Sequence, residues 1–142
     1  MFHKILVAVD ESESSHRAVT AATDLALQFH ASVCLLHAYP HIADYLGSPM
    51  YEQLVQAQTL EGEQFLQTLR MEIDQATNHA VPVETQLLEG APTEAILKVA
   101  EAEKFDLIVV GSHGKGPFAN LLLGSVSQTL TRKAPCPVMV VH

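Results

Sequence analysis

The sequence lacks any apolar run close to the roughly 20 residues that a membrane-spanning helix needs. Its first residues, Met1–Lys4, lead directly into an apolar segment. They form neither the charged region, the long apolar region nor the small-residue cleavage site of a signal peptide. We therefore expect a cytoplasmic protein with no membrane insertion.

Basic residues are also scarce, with 8 Lys and Arg against 16 Asp and Glu, for a formal net charge of −8. Nucleic-acid binding is disfavoured because neutralising phosphates requires a basic face. The two cysteines form no CxxC pair, so we expect both to be small buried residues. The eight histidines form no HxxxH or HExxH motif on a predicted helix, and no GxSxG motif is present. A dedicated transition-metal site and a hydrolase of that type are therefore disfavoured.

What the sequence does have is a regular alternation of short apolar runs with helical periodicity. With 142 residues, 48% of them hydrophobic, and no repeat or linker, residues 1–142 are expected to form one domain. Five predicted strands alternate with four helices, which is typical of a three-layer α/β/α sandwich around a parallel sheet. The half-polar strand 83–88 is expected at a sheet edge. The predicted strands are Ile5–Val9, Ser32–Ala38, Val83–Leu88, Leu107–Val110 and Val138–Val141.

The most informative stretch follows the predicted strand Leu107–Val110. Gly111, Gly114 and Gly116 come within six residues, and a helical pattern begins at Gly124-Ser125. A strand, a glycine loop and a helix N-terminus together can hold an anion, because unpaired N–H groups and the helix dipole favour negative charge there. The spacing fits neither a Walker P-loop nor the GxGxxG dinucleotide fingerprint.

The spacing of Gly111, Gly114, Gly124 and Ser125 resembles the nucleotide-binding motif of the universal stress protein family, in its ATP-binding branch. The resemblance covers the whole chain, from LVAVD at 6–10 to CPVMVV at 136–141. It implies a five-stranded parallel sheet of order 3-2-1-4-5, in an adenine nucleotide alpha hydrolase-like fold. It also implies a homodimer formed through the final strand, Val138–Val141.

In that strand order, Asp10 and Gly111 follow adjacent central strands and face one crevice, where open α/β sheets bind ligands. Asp10 is therefore expected to bind ribose, adenine or a metal ion, Mg²⁺ or Mn²⁺; its alternative role is to cap the following helix. By resemblance, the strand ends around an adenine are Ala8, Val9, Ala38 and Val110. The phosphate and ribose positions are Gly111, Gly114, Gly124, Ser125, Val126 and Ser127, and Lys115 is a candidate for neutralising phosphate charge.

The resulting hypothesis is an ATP-binding regulatory module of the stress response, which acts on a protein partner that the sequence does not identify. One alternative is a slow ATPase or a protein that transfers a phosphoryl group to itself or to a partner. No nucleophile or activating base is evident for that chemistry, so at most weak ATP hydrolysis is expected. The other alternative is a flavodoxin-like protein that binds AMP or FMN.

Overall fold

The computed structural model describes residues 1–43, 47, 49–113 and 124–142. Strands and helices alternate along the chain. The strands are β1 (Lys4–Ala8), β2 (Ser32–Tyr39), β3 (Val83–Glu89), β4 (Leu107–Gly111) and β5 (Val138–Val141). The helices are α1 (Glu13–Phe29), α2 (Met50–Thr77), α3 (Pro92–Ala102) and α4 (Ser125–Lys133). None of these described helices is long and apolar enough to cross a membrane.

The five strands form one parallel sheet in the order β3-β2-β1-β4-β5, which confirms the expected fold class. Strand β1 pairs with β2 on one side and with β4 on the other, and Val7 lies opposite Val109. The order therefore reverses at β1, and the carboxyl ends of β1 and β4 lie side by side. Strand β3 occupies an edge, as its half-polar pattern predicts.

The sheet is covered on both faces, and each face has its own apolar core. Helices α1 and α2 pack on one face, where Ile5, Val7 and Val109 are fully buried. Helices α3 and α4 pack on the other face, against Leu6 and Ile108. Successive strand residues point to opposite faces, so a central strand covered on both sides must be apolar at every position.

The helix ends follow local sequence signals. Ser12 is the N-cap of α1, and its hydroxyl accepts a hydrogen bond from the Ser15 amide at 3.2 Å. His30 and Asn78 end α1 and α2 in the left-handed conformation. Helix α3 begins at Pro92 and ends at Ala102, and Lys104, two residues later, has a positive φ of 56°.

The two cysteines differ in environment. Cys34 is buried, and its burial raises the pKa of the thiol to about 12. Cys136 is only half-buried, so the expectation of full burial holds for Cys34 alone. Burial also raises the pKa of the Cys136 thiol. Both thiols are therefore poor nucleophiles and poor metal ligands in the folded protein.

Two glycines permit close packing between elements. A Cβ atom at Gly111 would lie 2.5 Å from Ser14 Oγ and 2.7 Å from the Ser15 backbone nitrogen. At Gly62, in α2, a Cβ would lie 2.6 Å from Leu87 Cδ1. The contact at Gly111 is with the backbone of α1, which cannot move without moving the helix, whereas the Leu87 side chain can rotate.

We expect Gly111→Ala to lower the free energy of unfolding by about 1–3 kcal/mol, because the methyl group overlaps α1. Gly62→Ala is the matched control: removing a helical glycine gains about 1 kcal/mol, which offsets the displacement of Leu87. Urea unfolding of both variants measures the difference. Equal stability of the two variants would contradict the proposed packing role of Gly111.

Candidate functional site

The candidate site lies where β1 and β4 end, at the point where the strand order reverses. Gly111 is the last residue of β4, and Asp10 follows β1 by two residues. The first turns of α1 and α4 lie at the same edge of the sheet. Open parallel sheets bind ligands at such a position because strand ends and helix N-termini converge there.

One peptide unit, that between Ser112 and His113, connects these elements. Its carbonyl oxygen, on Ser112, accepts a hydrogen bond from the amide of Gly124, the N-cap of α4, at 2.6 Å. Its amide, on His113, donates to Ser14 Oγ in the first turn of α1 at 3.3 Å. The Ser14 hydroxyl in turn donates to the His113 carbonyl at 2.5 Å. The chain after β4 is therefore held between two helix N-termini.

Two of the residues that make these contacts, Ser14 and Ser112, are buried, and neither was predicted as a site residue. Ser112 has no exposed surface and Ser14 is 3% exposed. The sequence did carry a signal, because polar residues small enough to be buried stand directly after the apolar run of β4 and in the first turn of α1. Buried hydroxyl groups require hydrogen-bond partners, and here the partners are backbone groups of the neighbouring element.

The N-terminus of α4 is open. Its N-cap is Gly124, and no side chain among the described residues caps it. The first turn contains no acidic residue, while Arg132 and Lys133 lie in the last turn. Ser125, the first helical residue, is exposed. Among the described residues, no side chain therefore compensates the N–H groups and the positive end of the dipole, and both favour an anion.

Ser127 has a different role from its neighbour Ser125. It is 2% exposed, and its hydroxyl donates to the Gly111 carbonyl at 2.9 Å. The proton of Ser127 is thus used to fix α4 to the end of β4. Of the two serines predicted for the phosphates, the structure leaves the Ser125 hydroxyl accessible to a ligand.

Asp10 supports the turn that leads into α1. One carboxylate oxygen, Oδ1, accepts from the Ser12 amide at 2.8 Å, and the Asp10 amide donates to Ser15 Oγ at 2.9 Å. Within the described ranges Oδ2 accepts no hydrogen bond. Asp10 also lines a pocket of about 150 Å³ between α1 and α2, with Phe65 and Leu69 among its other walls. Asp10 thus supports the turn before α1, although the N-cap of that helix is Ser12 and not Asp10.

The predicted apolar positions divide between the two faces of the sheet. Ala8, Ala38 and Val126 are partly exposed and pack with Val110 on the α3–α4 face. Val9 is buried on the α1–α2 face. The Val9 backbone is also fully used, since its amide donates to Leu36 and its carbonyl accepts from His37 Nδ1, both at 2.8 Å. Four of the five apolar positions therefore share one face.

Two predicted positions, Gly114 and Lys115, lie outside the described residues. In the part of the chain that is described, no group of three His, Cys, Asp or Glu side chains is placed to hold a metal ion. A Mg²⁺ ion suits this arrangement only together with a ligand, because Mg²⁺ is usually held by one or two carboxylates plus substrate phosphates. The free oxygen of Asp10 is such a carboxylate.

Comparison with known proteins identifies the family. The sequence model described as "Universal stress protein family" matches residues 1–142. The chain belongs to the universal stress protein family. A universal stress protein of Thermus aquaticus is 41% identical over an alignment of 143 positions, which covers 100% of this chain and 100% of that one.

Solved structures agree with this assignment. Universal stress protein UspA from Lactobacillus plantarum superposes with a TM-score of 0.87 at 25% identity, over 99% of this chain and 98% of that one. A universal stress protein in complex with cAMP is 29% identical, with a TM-score of 0.71 over 99% of this chain and 97% of that one. The fold and the family of this universal stress protein are therefore established together.

Ser125 and Ser127 offer a direct test of the site geometry. Ser127→Ala leaves the partly buried Gly111 carbonyl without its hydroxyl donor, so we expect it to lower the free energy of unfolding by about 1–3 kcal/mol. Ser125→Ala removes an exposed hydroxyl and is expected to change that free energy by less than about 0.5 kcal/mol. Denaturant unfolding compares them. A larger loss for Ser125→Ala than for Ser127→Ala would contradict the assignment.

Proposed function

We propose that this universal stress protein binds ATP, accompanied by Mg²⁺ (or Mn²⁺), at the carboxyl ends of β1 and β4. The observation that carries the proposal is the open N-terminus of α4, fixed beside β4 by the bond from Gly124 to Ser112. In a chain of net charge −8, an anion is attracted only where local N–H groups outweigh the global charge. A helix N-terminus without a side-chain cap meets that requirement.

The placement of the other site residues supports a nucleotide in one orientation. The partly exposed surface of Ala8, Ala38 and Val126, next to Val110, offers an apolar wall for an adenine. The phosphates then lie at Gly124 and Ser125, with Gly111 at the end of β4 and Asp10 toward the metal ion. Gly114 and Lys115 remain part of the proposal as further phosphate contacts. The cAMP complex of a 29% identical relative supports an adenine nucleotide as the ligand class.

The proposed consequence of binding is regulatory. A ligand that binds one arrangement of the chain after β4 more tightly shifts the population toward it, and a protein partner then recognises the altered surface. Hydrolysis is not required. The described hydroxyl that lies beside a histidine ring, Ser112, has no exposed surface, so it does not serve as a nucleophile for phosphoryl transfer. A cytoplasmic location, where ATP and Mg²⁺ are available, is part of the proposal.

The test is titration of ATP·Mg²⁺ into nucleotide-free protein by calorimetry, with Ser125→Glu as the decisive variant. A glutamate in the first turn of α4 stabilises the helix dipole, so the melting temperature should stay equal or rise. The same carboxylate repels phosphate, so we expect affinity to fall at least about 100-fold, as for a like charge placed in a binding site.

The matched control is Gln67→Glu, which adds the same charge at an exposed position of α2. It should bind ATP like the wild type. Folded, nucleotide-free wild type that takes up no adenine nucleotide at millimolar concentration would show the proposal to be wrong. Equal loss in both variants would instead assign the effect to net charge.

We propose further that two copies associate through β5. Strand β5 is a sheet edge whose four residues, VMVV, are uncharged and only partly buried, whereas the other edge, β3, carries Glu84 and Glu89. Charged side chains protect an edge from pairing, and β5 has none. Pairing two β5 strands about a two-fold axis satisfies their unpaired backbone groups.

Val140→Pro tests this association. The carbonyls of Pro137 and Val141 accept from β4, so the alternate residues Val138 and Val140 direct their backbone groups away from β4. Proline at 140 removes an outward N–H without breaking the β4 ladder. Sedimentation should show a dimer for wild type and Val140→Thr, and a monomer for Val140→Pro. A dimer that survives Val140→Pro would place the interface elsewhere.

A further inference from the structure

One polar atom at the site has no partner. His113 Nε2 is buried and makes no hydrogen bond within the described part of the chain. A buried nitrogen without a partner costs about 1–3 kcal/mol, and in native structures such a group calls for an explanation. The remaining polar atoms of His113 are all engaged: its amide and carbonyl with Ser14, and Nδ1 with Ser112.

The imidazole ring is held in a defined orientation. Ser112 Oγ lies 2.8 Å from His113 Nδ1. Where the serine hydroxyl donates to Nδ1, the ring carries its proton on Nε2, and Nε2–H is a donor without an acceptor. Both the backbone and the ring of His113 are thus fixed by serines, which is the kind of second layer that keeps a binding group in place.

The location of His113 Nε2 indicates which kind of ligand group it contacts. The Ser112–His113 peptide shares its hydrogen bonds with Ser14 in the first turn of α1 and with Gly124, the N-cap of α4, so the ring extends from a point between two helix N-termini. The first turn of α1 already has its own cap, Ser12, and its own acid, Glu13. An anion at this edge is therefore attracted to α4, on the other side of the Ser112–His113 peptide.

We propose that His113 donates a hydrogen bond from Nε2 to a phosphate oxygen of the bound nucleotide, with Ser14 and Ser112 as its positioning residues. This inference rests on the proposed function and assigns a contact within the same site. A phosphate oxygen only accepts hydrogen bonds, so it selects the ring form protonated on Nε2. Binding then supplies a partner for His113 Nε2, which has none among the described residues.

The experiment is ¹⁵N NMR of the protein labelled in its histidine rings, recorded free, with adenosine, and with ADP·Mg²⁺. His37 is the internal reference, because its Nδ1 lies 2.8 Å from the Val9 carbonyl and must carry the proton there. We expect His113 in the ADP complex to be protonated on Nε2, with a shifted Nε2–H resonance. Adenosine, which has no phosphate, should leave that resonance in place.

Affinity measurements complete the test. His113→Ala should weaken ADP binding roughly ten-fold or more, as the loss of a hydrogen bond to a charged group does. His113→Gln retains an N–H donor and should recover part of the loss. His3 lies just before β1, at the amino ends of the strands, so His3→Ala should bind ADP like the wild type. A purely structural role for His113 would lower the melting temperature together with affinity, whereas we expect affinity alone to change substantially.

The outcomes separate this inference from the proposed function. If the wild type binds no nucleotide, both the proposed function and the histidine contact are wrong. If the wild type binds ADP but the His113 signals stay unchanged, or show the proton on Nδ1, then only the histidine contact is wrong. An equal shift with adenosine places the contact on the base or the ribose and overturns the phosphate assignment. Because the NMR arm uses the wild type, it decides the question even where a His113 variant fails to fold.

Discussion

The site depends on a single peptide unit, Ser112–His113, held between two helices. Its carbonyl accepts from the N-cap of α4 and its amide donates to Ser14 of α1, so both of its polar atoms are paired across element boundaries. Gly111, one residue earlier, allows α1 to approach closely enough for the Ser14 contact, because a Cβ there would overlap the helix. Removing either feature would separate β4 from the helices that surround the strand ends, and the geometry proposed for ligand binding would go with it.

The N-termini of α1 and α4, at the carboxyl ends of the strands, differ in how their charge and N–H groups are compensated. Helix α1 has its own cap in Ser12 and its own carboxylate in Glu13, so its positive end is already compensated. Helix α4 has a glycine at the N-cap position and its basic residues at the far end. Among the described residues, α1 thus has a side-chain cap and α4 has none. On the proposed function, this difference is what lets a protein with twice as many acidic as basic residues bind an anion locally.

Much of the architecture was predictable because the sheet is parallel and buried. Central strands covered on both faces must be apolar throughout, and this made the central strands recognisable to within one or two residues. Glu84 and Gln86 marked β3 as an edge for the complementary reason, since a strand at the edge tolerates polar side chains. The order of the strands came from the family resemblance, because periodicity describes one element at a time. The close approach of Gly62 to Leu87 was not predictable in the same way, since it joins residues 25 positions apart.

By itself the sequence determined the strands and helices, the fold class and the glycine spacing that points to an anion. Each of these follows from local composition and periodicity. Only the tertiary structure decided what the individual side chains do. It used the proton of Ser127 to hold α4, and it directed one oxygen of Asp10 to the α1 turn. It also placed Val9 on the α1–α2 face and Ala8 on the α3–α4 face, and it left His113 Nε2 without a partner among the described residues. Hydrogen bonds between residues about 100 positions apart, such as that from His113 to Ser14, depend on how the elements meet, and no local pattern encodes that.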